Sequence, residues 1–568
     1  MPRMTAMEAA VKVLESEGVE VIFGIPGANI NAFYDALARS TKIKHLIARH
    51  EEGASHAADG YARASGKVGV CVGTSGPAGT NFITGLYAAQ ADSIPIIAIT
   101  GQHLRAMQGK EGFQALDITE VARPVVKKAY YVREPGQVPW VFREAFKIAQ
   151  EGRPGPVLID LPIDVQRQEI EYDPEIDAPL AIHKPAPDPR KIRRAMEMIL
   201  AAERPVFLLG GGVILARACA EFVALAEYLQ VPVVNTGMGK GGIPANHPLY
   251  AGEVGIQTGH RSGNAVFLES DLVLAVGCRF ADRHTGTLDV YTRGRKFIHI
   301  DIEPTQIGRI FCPDLGIVSD AKLALQALLD VARQMTPPRE PDDRARRVPE
   351  LRRALARRLD FDNVPIKPQR VFKEINEFFD PDTIFVTCIG NNQIWSGQFQ
   401  EISKPGHYIV AGGAGPLGWE FPAAMGVKLA RPDNTVVVIT GDYGFPFCAE
   451  ELAMACQYDI RILTIIINNG YMSLIRQNQK YAYNNLNFAV DIWYDGTRPD
   501  FVTFAEAYGA YGERVDVPWD IKPALARALE SGKPAIVDIV VERETDVAMG
   551  PSLDRVVEYE PVAEPLAV

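Results

Sequence analysis

The sequence predicts an α/β protein made of three doubly wound parallel-sheet domains, and three observations carry that expectation. Val436-Val437-Val438-Ile439 and Ile465-Ile466-Ile467 are β-branched runs. The segment between them, Phe447 to Tyr458, has the apolar spacing of a helix that buries Phe447, Leu452, Ala455 and Cys456. Strand-helix-strand units of this kind place their strands side by side and parallel. Residues 86–101 echo Leu452 to Ile467, with an apolar strand beginning eight positions after the leucine in each, and Gly152 to Asp160 resembles Gly532 to Asp538. Residues 1–165 and 366–545 are therefore expected to be copies of one plan. Between them, strands at Pro205–Leu209, Leu272–Val276 and Lys296–Ile300 mark a third α/β unit over 190–335.

At 568 residues the chain exceeds one hydrophobic core. Proline-rich breaks at Lys184 to Pro189 and Pro337 to Pro341 separate the units, residues 546–568 are expected to form a C-terminal tail, and Arg344 to Arg358 reads as a solvated helix. A net charge of −11 argues against a nucleic-acid or acidic-membrane partner, which would need clustered positive charge. Seven dispersed cysteines without a Cys-x-x-Cys pair point to a reducing, cytoplasmic setting. The chain has no apolar stretch of about 20 residues, as a membrane span requires.

Chemistry concentrates where the β-branched runs end. The first run leads into Gly441-Asp442 and the second into Asn468-Asn469, which sets Asp442 and Asn469 27 positions apart at the carboxyl edge of one sheet. Doubly wound folds bind ligands at that edge, with a helix N-terminus toward phosphate. A carboxylate, an amide oxygen and backbone carbonyls suit Mg2+ on a diphosphate. In the first unit, Ile43 to Ala48 reads as a strand that exits through Arg49-His50-Glu51-Glu52-Gly53 into a helix through Ala64. Glycine-rich turns follow apolar strands at Gly24 to Asn29 and Gly73 to Asn81. His50, His56 and His103 lack the spacing of zinc ligands. Gly210-Gly211-Gly212 does not supply the G-x-G-x-x-G dinucleotide fingerprint.

The Gly-Asp to Asn-Asn spacing resembles the signature of thiamine diphosphate enzymes. Arg-His-Glu-x-x-x-x-His-x-Ala-x-Gly-Tyr-Ala-Arg, from Arg49 to Arg63, resembles the stretch whose glutamate contacts the cofactor's pyrimidine ring. The resemblance implies that Glu51 is catalytic, holding a ring nitrogen so that the exocyclic nitrogen takes the C2 proton. It implies a metal site of Asp442, Asn469 and the Tyr471 carbonyl. Cofactor contacts are implied for Pro26, Asn81, Gly390, Asn391, Asn392 and Gly415, for Gly441, Tyr443, Gly444 and Met472, and for Leu417 as an apolar wedge. Ile25, Phe113, Gln114 and Arg476 are implied in the substrate cleft, Gln114 orienting the substrate and Arg476 meeting its carboxylate. Leu417 as a core leucine, and Arg476 as a surface arginine, remain open.

The centre resembles the flavin-binding domain of the acetohydroxyacid synthase group. Gly210, Gly211, Gly212, Thr236, Gly237 and Met238 match its pattern, as do Gly277, Arg279, Arg283, Asp301 and Ile302, with Arg153 upstream. Gly255, Gln257 and Asp320 complete the implied FAD site. Arg279 and Arg283 have structural ion pairing as their alternative reading. The implied FAD is architectural, because carboligation needs no redox step.

Within that group, Ile298 to Arg309, Cys312 to Lys322, Phe361 to Arg370 and Leu474 to Gln477 resemble the glyoxylate carboligase family. That implies a small 2-oxoacid substrate and the joining of two glyoxylates to tartronate semialdehyde and CO2. It also implies a homodimer or homotetramer whose site lies between the first domain of one copy and the last domain of another. The chain departs from the family at Glu51, where valine is characteristic, and in residues 441–448 and 478–500. Glu51 and Gln393-Ile394-Trp395 read like acetolactate synthases, whereas Asn478 replaces their acceptor-selecting tryptophan. An acetolactate synthase acting on pyruvate and a flavin-dependent 2-oxoacid oxidase remain alternatives.

Overall fold

The computed structural model describes residues 2–493 and 496–560. The first sheet comprises β1 (Val21–Gly24), β2 (Lys44–Ile47), β3 (Gly69–Gly73), β4 (Ile96–Gln102), β5 (Lys128–Tyr131) and β6 (Val157–Pro162), in the order β2-β1-β3-β4-β6-β5. The central sheet comprises β7 (Pro205–Leu209), β8 (Val233–Asn235), β9 (Tyr250–Glu253), β10 (Leu272–Val276), β11 (Lys296–Asp301) and β12 (Leu315–Val318), ordered β9-β8-β7-β10-β11-β12. The last comprises β13 (Ile384–Thr387), β14 (Tyr408–Val410), β15 (Val436–Gly441), β16 (Leu463–Asn468), β17 (Tyr511–Val515) and β18 (Ala535–Val540), ordered β14-β13-β15-β16-β18-β17. Every neighbouring pair in these sheets is parallel. The chain is thus three parallel-sheet α/β layers. The first and last share one strand permutation, and the centre has the order of a dinucleotide fold. In both permutations strand order reverses beside the first strand of the sheet, and ligands bind in the crevice formed there.

The inner strands are buried and rich in valine, isoleucine and leucine, as a parallel sheet covered on both faces requires, whereas the edge strands β2, β5, β12 and β17 are partly exposed. Two helices join the first and last layers: α1 (Glu51–Ser65) and α3 (Glu420–Ala430), with α2 (Asn391–Phe399) between them in sequence. α1 begins where His50 Nδ1 accepts the Glu52 N–H at 3.2 Å and ends on the left-handed Gly66. The helices touch backbone to backbone. A Cβ at Gly60 would lie 2.0 Å from the Ala423 carbonyl oxygen, and one at Gly426 only 1.9 Å from that of Ala57.

Several expectations are corrected. The helix expected from Phe447 is α4 (Leu452–Gln457), preceded by 3-10 turns at Phe445–Phe447 and Ala449–Glu451. Pro446 removes a backbone donor in the first of these. Phe445 enters the core against Phe421 and Phe501, Phe447 is left half exposed, and Cys456 is only partly buried. The central sheet holds three strands, β8, β9 and β12, that the pattern did not reveal. The arginine-rich helix spans Asp343–Ala354 and is not merely solvated: Arg344 donates to the carbonyls of Pro205 and Val266. Of the expected tail, residues 561–568 lie outside the described residues. Glu558 meets Arg357 at 2.8 Å through both oxygens, and Tyr559 stacks on Tyr481 at 5.0 Å.

Candidate functional site

One half of the site forms at the carboxyl ends of β13, β15 and β16. Gly390, at φ 132°, turns the chain from β13 into α2, whose nine residues are all buried. Asn391 opens that helix with both side-chain polar atoms buried and unpartnered, as expected for a group awaiting a ligand at a helix N-terminus. Asn392 Nδ2 donates to the carbonyls of Cys388 at 3.2 Å and Ile439 at 3.3 Å, which aligns the ends of β13 and β15. After β15, Asp442 is buried and its Oδ2 accepts the Gly470 N–H at 2.7 Å. Burial pushes this carboxyl up to about 7, and Asp538 adds to the push. A cation beside Asp442 would offset that cost.

Asn469 Oδ1 accepts from Ser473 Oγ at 2.8 Å and from the Tyr471 N–H at 3.4 Å, and the Tyr471 carbonyl accepts from the same serine at 3.1 Å. One carboxylate, one amide oxygen and one carbonyl are hard donors that fit Mg2+ shared with a diphosphate. Gly415 turns at φ 61° and Met472 caps the next helix, α5 (Ser473–Ala482). Leu417 is partly exposed rather than a core residue, and its Cδ2 faces Gly444 at 3.7 Å from the Cβ position there. Tyr443 stands edge-on to Phe447 at 5.6 Å.

The other half lies in the first layer. Glu51 opens α1 and is buried; its Oε2 accepts from Asn81 Nδ2 at 2.9 Å, and its Cγ is 3.3 Å from the Cβ position of Gly73 at the end of β3. Gln114, at φ 60°, accepts from Ser75 Oγ at 3.3 Å, and Ser75 in turn accepts from Asn29 at 2.7 Å. Ile25 and Pro26 follow β1 at the same edge, Pro26 exposed, and Phe113 is 79% exposed. No hydrogen bond among the described residues joins this group to the Asp442 group.

Two positions add to the sequence reading. Glu451 is buried and accepts the backbone N–H groups of both Arg49 and His50 at 2.9 Å, fixing the turn that presents Glu51. Its partners are 402 and 401 positions upstream, so no local pattern announces it. Glu420, first residue of α3, is buried, bonds Thr440 and is pushed up to about 7 by burial. Arg476, expected to meet substrate, is buried with its guanidinium 2.8 Å from Glu544 and over the Tyr471 ring. A substrate carboxylate would have to displace Glu544.

A cavity of about 880 Å3 opens where β7 and β10 diverge, the reversal point of the central sheet. Arg153, Gly211, Gly212, Thr236, Gly237 and Met238 line it, with Gln257, Gly277, Arg279, Arg283, Asp301, Ile302 and Asp320. Gly210 and Gly255 are not on its wall. Gly210 instead lets the strand ends meet, since a Cβ there would lie 2.2 Å from the Gly277 carbonyl oxygen. Arg153 donates to Ser93 at 2.8 Å and Arg279 to Ala91, so the first layer closes one side. Arg279 also pairs with Asp92 at 3.4 Å, whereas Arg283 bonds Gln257. Burial pushes Asp301 up to about 6. The volume lies in the upper part of the roughly 300–1,000 Å3 range of cofactor pockets, and basic groups at one side with a carboxylate at a strand end fit a dinucleotide.

The chain matches the thiamine pyrophosphate enzyme N-terminal TPP binding domain over residues 4–121, the central domain of the same enzymes over 192–328, and their C-terminal TPP binding domain over 388–539. It is 50% identical to the glyoxylate carboligase of Escherichia coli O157:H7, covering 99% of this chain and 98% of that protein. It is 41% identical to a probable acetolactate synthase large subunit of Methanocaldococcus jannaschii, covering 96% and 94%. Against the acetolactate synthase of Arthrospira platensis the identity is 40%, covering 96% and 95%. With its reversal-point loops and layer order as described, the chain belongs to the thiamine pyrophosphate enzyme family.

Proposed function

We propose that this chain is a thiamine diphosphate-dependent carboligase that joins two molecules of glyoxylate into tartronate semialdehyde with loss of CO2. The 50% identity to a glyoxylate carboligase across 99% of the chain carries the reading, against 41% and 40% for the two acetolactate synthases. When bound, thiamine diphosphate supplies the electron sink for decarboxylation and for the new carbon-carbon bond.

The residues around it divide the work. Asn391 and Asn392 receive the diphosphate at the start of α2, and Asp442, Asn469 and the Tyr471 carbonyl hold its Mg2+. Glu51, held at one oxygen by Asn81, would present its other oxygen to the pyrimidine ring and could hold or move a proton there. Leu417, Ile25 and Phe113 exclude water from the cleft, and Gln114 orients the substrate. The central cavity takes FAD in an architectural role. From the family resemblance and the shared plan of the first and last layers, we place the working site between the first layer of one copy and the last layer of another, which makes a homodimer the smallest active unit.

The test is to incubate purified protein with Mg2+, thiamine diphosphate and either glyoxylate or pyruvate, and to identify the products by mass. Tartronate semialdehyde from glyoxylate is expected. Acetolactate from pyruvate without reaction of glyoxylate overturns the proposal in favour of an acetolactate synthase, the reading that Glu51 favours. The flavin is expected to stay oxidised on anaerobic addition of either substrate; bleaching, with peroxide in air, would identify an oxidase.

A further inference from the structure

The loop Asn469-Gly470-Tyr471 is clamped on its outer side by groups that the catalytic reading leaves unused. Segment 490–493 pairs with it antiparallel: the Met472 N–H donates to the Val490 carbonyl at 2.8 Å, and the Ile492 N–H to the Gly470 carbonyl at 3.0 Å. Gly470 has φ 72°, and a Cβ there would stand 2.4 Å from Trp493 Cε2, so the indole lies directly on the loop backbone.

Arg543, three residues beyond β18, completes the clamp. Its guanidinium carbon lies 4.0 Å from the centre of the Tyr471 ring and 4.5 Å from that of Trp493, a cation stacked against two aromatic rings. Nε donates to the Asn469 carbonyl at 3.3 Å, and Nη2 donates to the Gly470 carbonyl at 3.4 Å and to Asp491 at 2.8 Å. The carbonyl of Arg543 accepts Asn469 Nδ2 at 3.4 Å. That bond holds the amide nitrogen of Asn469 away and leaves Oδ1 on the side of Ser473 and the Tyr471 N–H. The arginine side chain therefore holds the backbone of the loop, while the main-chain carbonyl at the same position, which any residue would supply, orients its amide.

We propose that Arg543 is a positioning residue for the divalent cation, holding Asn469 and Tyr471 in the arrangement from which their oxygens bind it. This rests on the reading of Asp442, Asn469 and Tyr471 as the cation site. The planar fork and its stacking on the rings do the positioning, and the charge opposes it, because a guanidinium beside a cation is repulsive. Mg2+ demands a near-ideal octahedron, whereas Ca2+ tolerates irregular shells. Loss of positioning must therefore penalise Mg2+ more than Ca2+.

The experiment measures dissociation constants of Mg2+ and Ca2+ by calorimetry on the full chain with thiamine diphosphate, for the parent, Arg543→Lys, Arg543→Gln, Trp493→Leu and Asp442→Asn, alongside melting of each metal-free protein. Both Arg543 variants are expected to bind Mg2+ at least tenfold more weakly and Ca2+ less than threefold more weakly, with Trp493→Leu changing in the same direction by less. If Arg543 acts only through charge, Arg543→Gln binds Mg2+ more tightly and Arg543→Lys is unchanged, and the proposal fails. Equal losses for both metals would assign a general structural role and also overturn it. Should the Arg543 variants not fold, unchanged Mg2+ affinity in Trp493→Leu is the overturning result. Unchanged Mg2+ affinity in Asp442→Asn would instead overturn the cation site itself.

Discussion

The carboxylate of Asp442 accepts the Gly470 N–H at 2.7 Å, so the residue after β15 pins the loop after β16. The carboxylate thereby serves the loop's shape, and in the proposed cation site it would also supply the negative charge. Asp442→Asn separates the two roles, because an amide oxygen still accepts from Gly470. Its Mg2+-dependent retention of thiamine diphosphate in gel filtration is expected to fall by at least tenfold. The metal-free protein is expected to melt no lower than the parent, because the variant removes a buried charge. Retention equal to the parent would remove Asp442 as a metal ligand.

Glu51 is oriented by Asn81 at 2.9 Å and shielded by the end of β3. Glu51→Gln keeps the shape and loses the exchangeable acid. Proton exchange at C2 of the bound cofactor, followed by NMR, is expected to slow about 100-fold or more, within the ~10²–10⁴ range of general acid-base contributions. Asn81→Ala is expected to slow it by less, because the carboxyl group remains but loses its support. Unchanged exchange in Glu51→Gln would take the residue out of the mechanism.

The sequence disclosed the strands whose runs are continuous and β-branched, and through them the loops at their ends. The placement of Asp442, Asn469 and Glu51 in strand-end loops was legible because the first two directly follow strands and the third opens the helix after β2. β8, β9 and β12 were not, being three or four residues long and marked by no periodicity. Phe447 misled because helical spacing takes no account of the turn that Pro446 imposes. Glu451 and Arg543 were invisible for a different reason. The Arg49 and His50 amides and the Tyr471 and Trp493 rings lie far from them in sequence, and the contacts exist only once the layers have packed. Arg476 showed the converse, since a motif match could not reveal that Glu544 already holds its guanidinium.

Glu451 gives the protein a defined pH response. Burial pushes its carboxyl from the ordinary 4.5 up to about 7, with the Arg49 and His50 N–H groups opposing the rise. Between those values the folded chain holds a proton that the unfolded chain has released, so stability falls as pH rises from 4.5 through about 7 and levels above it. Glu451→Gln retains an acceptor for both N–H groups and removes the titration. The urea midpoint of this variant is expected to gain on the parent steadily between pH 5 and pH 7.5. Glu451→Ala is expected to lose stability at every pH, by about 1–3 kcal/mol for each amide left unpaired. A constant offset between parent and Glu451→Gln across the range would show that this carboxyl does not titrate there.

The crossing of α1 and α3 reverses an ordinary rule. In an exposed helix, replacing glycine by alanine stabilises by about 1 kcal/mol through backbone propensity. At Gly426 the new methyl would sit 1.9 Å from the Ala57 carbonyl oxygen, and at Gly60 it would sit 2.0 Å from that of Ala423. Neither contact is relieved by rotating a side chain, because the obstacles are main-chain atoms, so the helices must separate. Gly426→Ala and Gly60→Ala are each expected to destabilise by about 1–3 kcal/mol, the usual cost of overpacking, read as a lower urea midpoint. Separation also moves Glu51, at the start of α1, away from Asn81. Both variants should therefore slow C2 proton exchange while their Mg2+ affinity, set in the last layer, stays at the parent value. Stabilisation by either substitution would mean that the helices do not meet through these glycines.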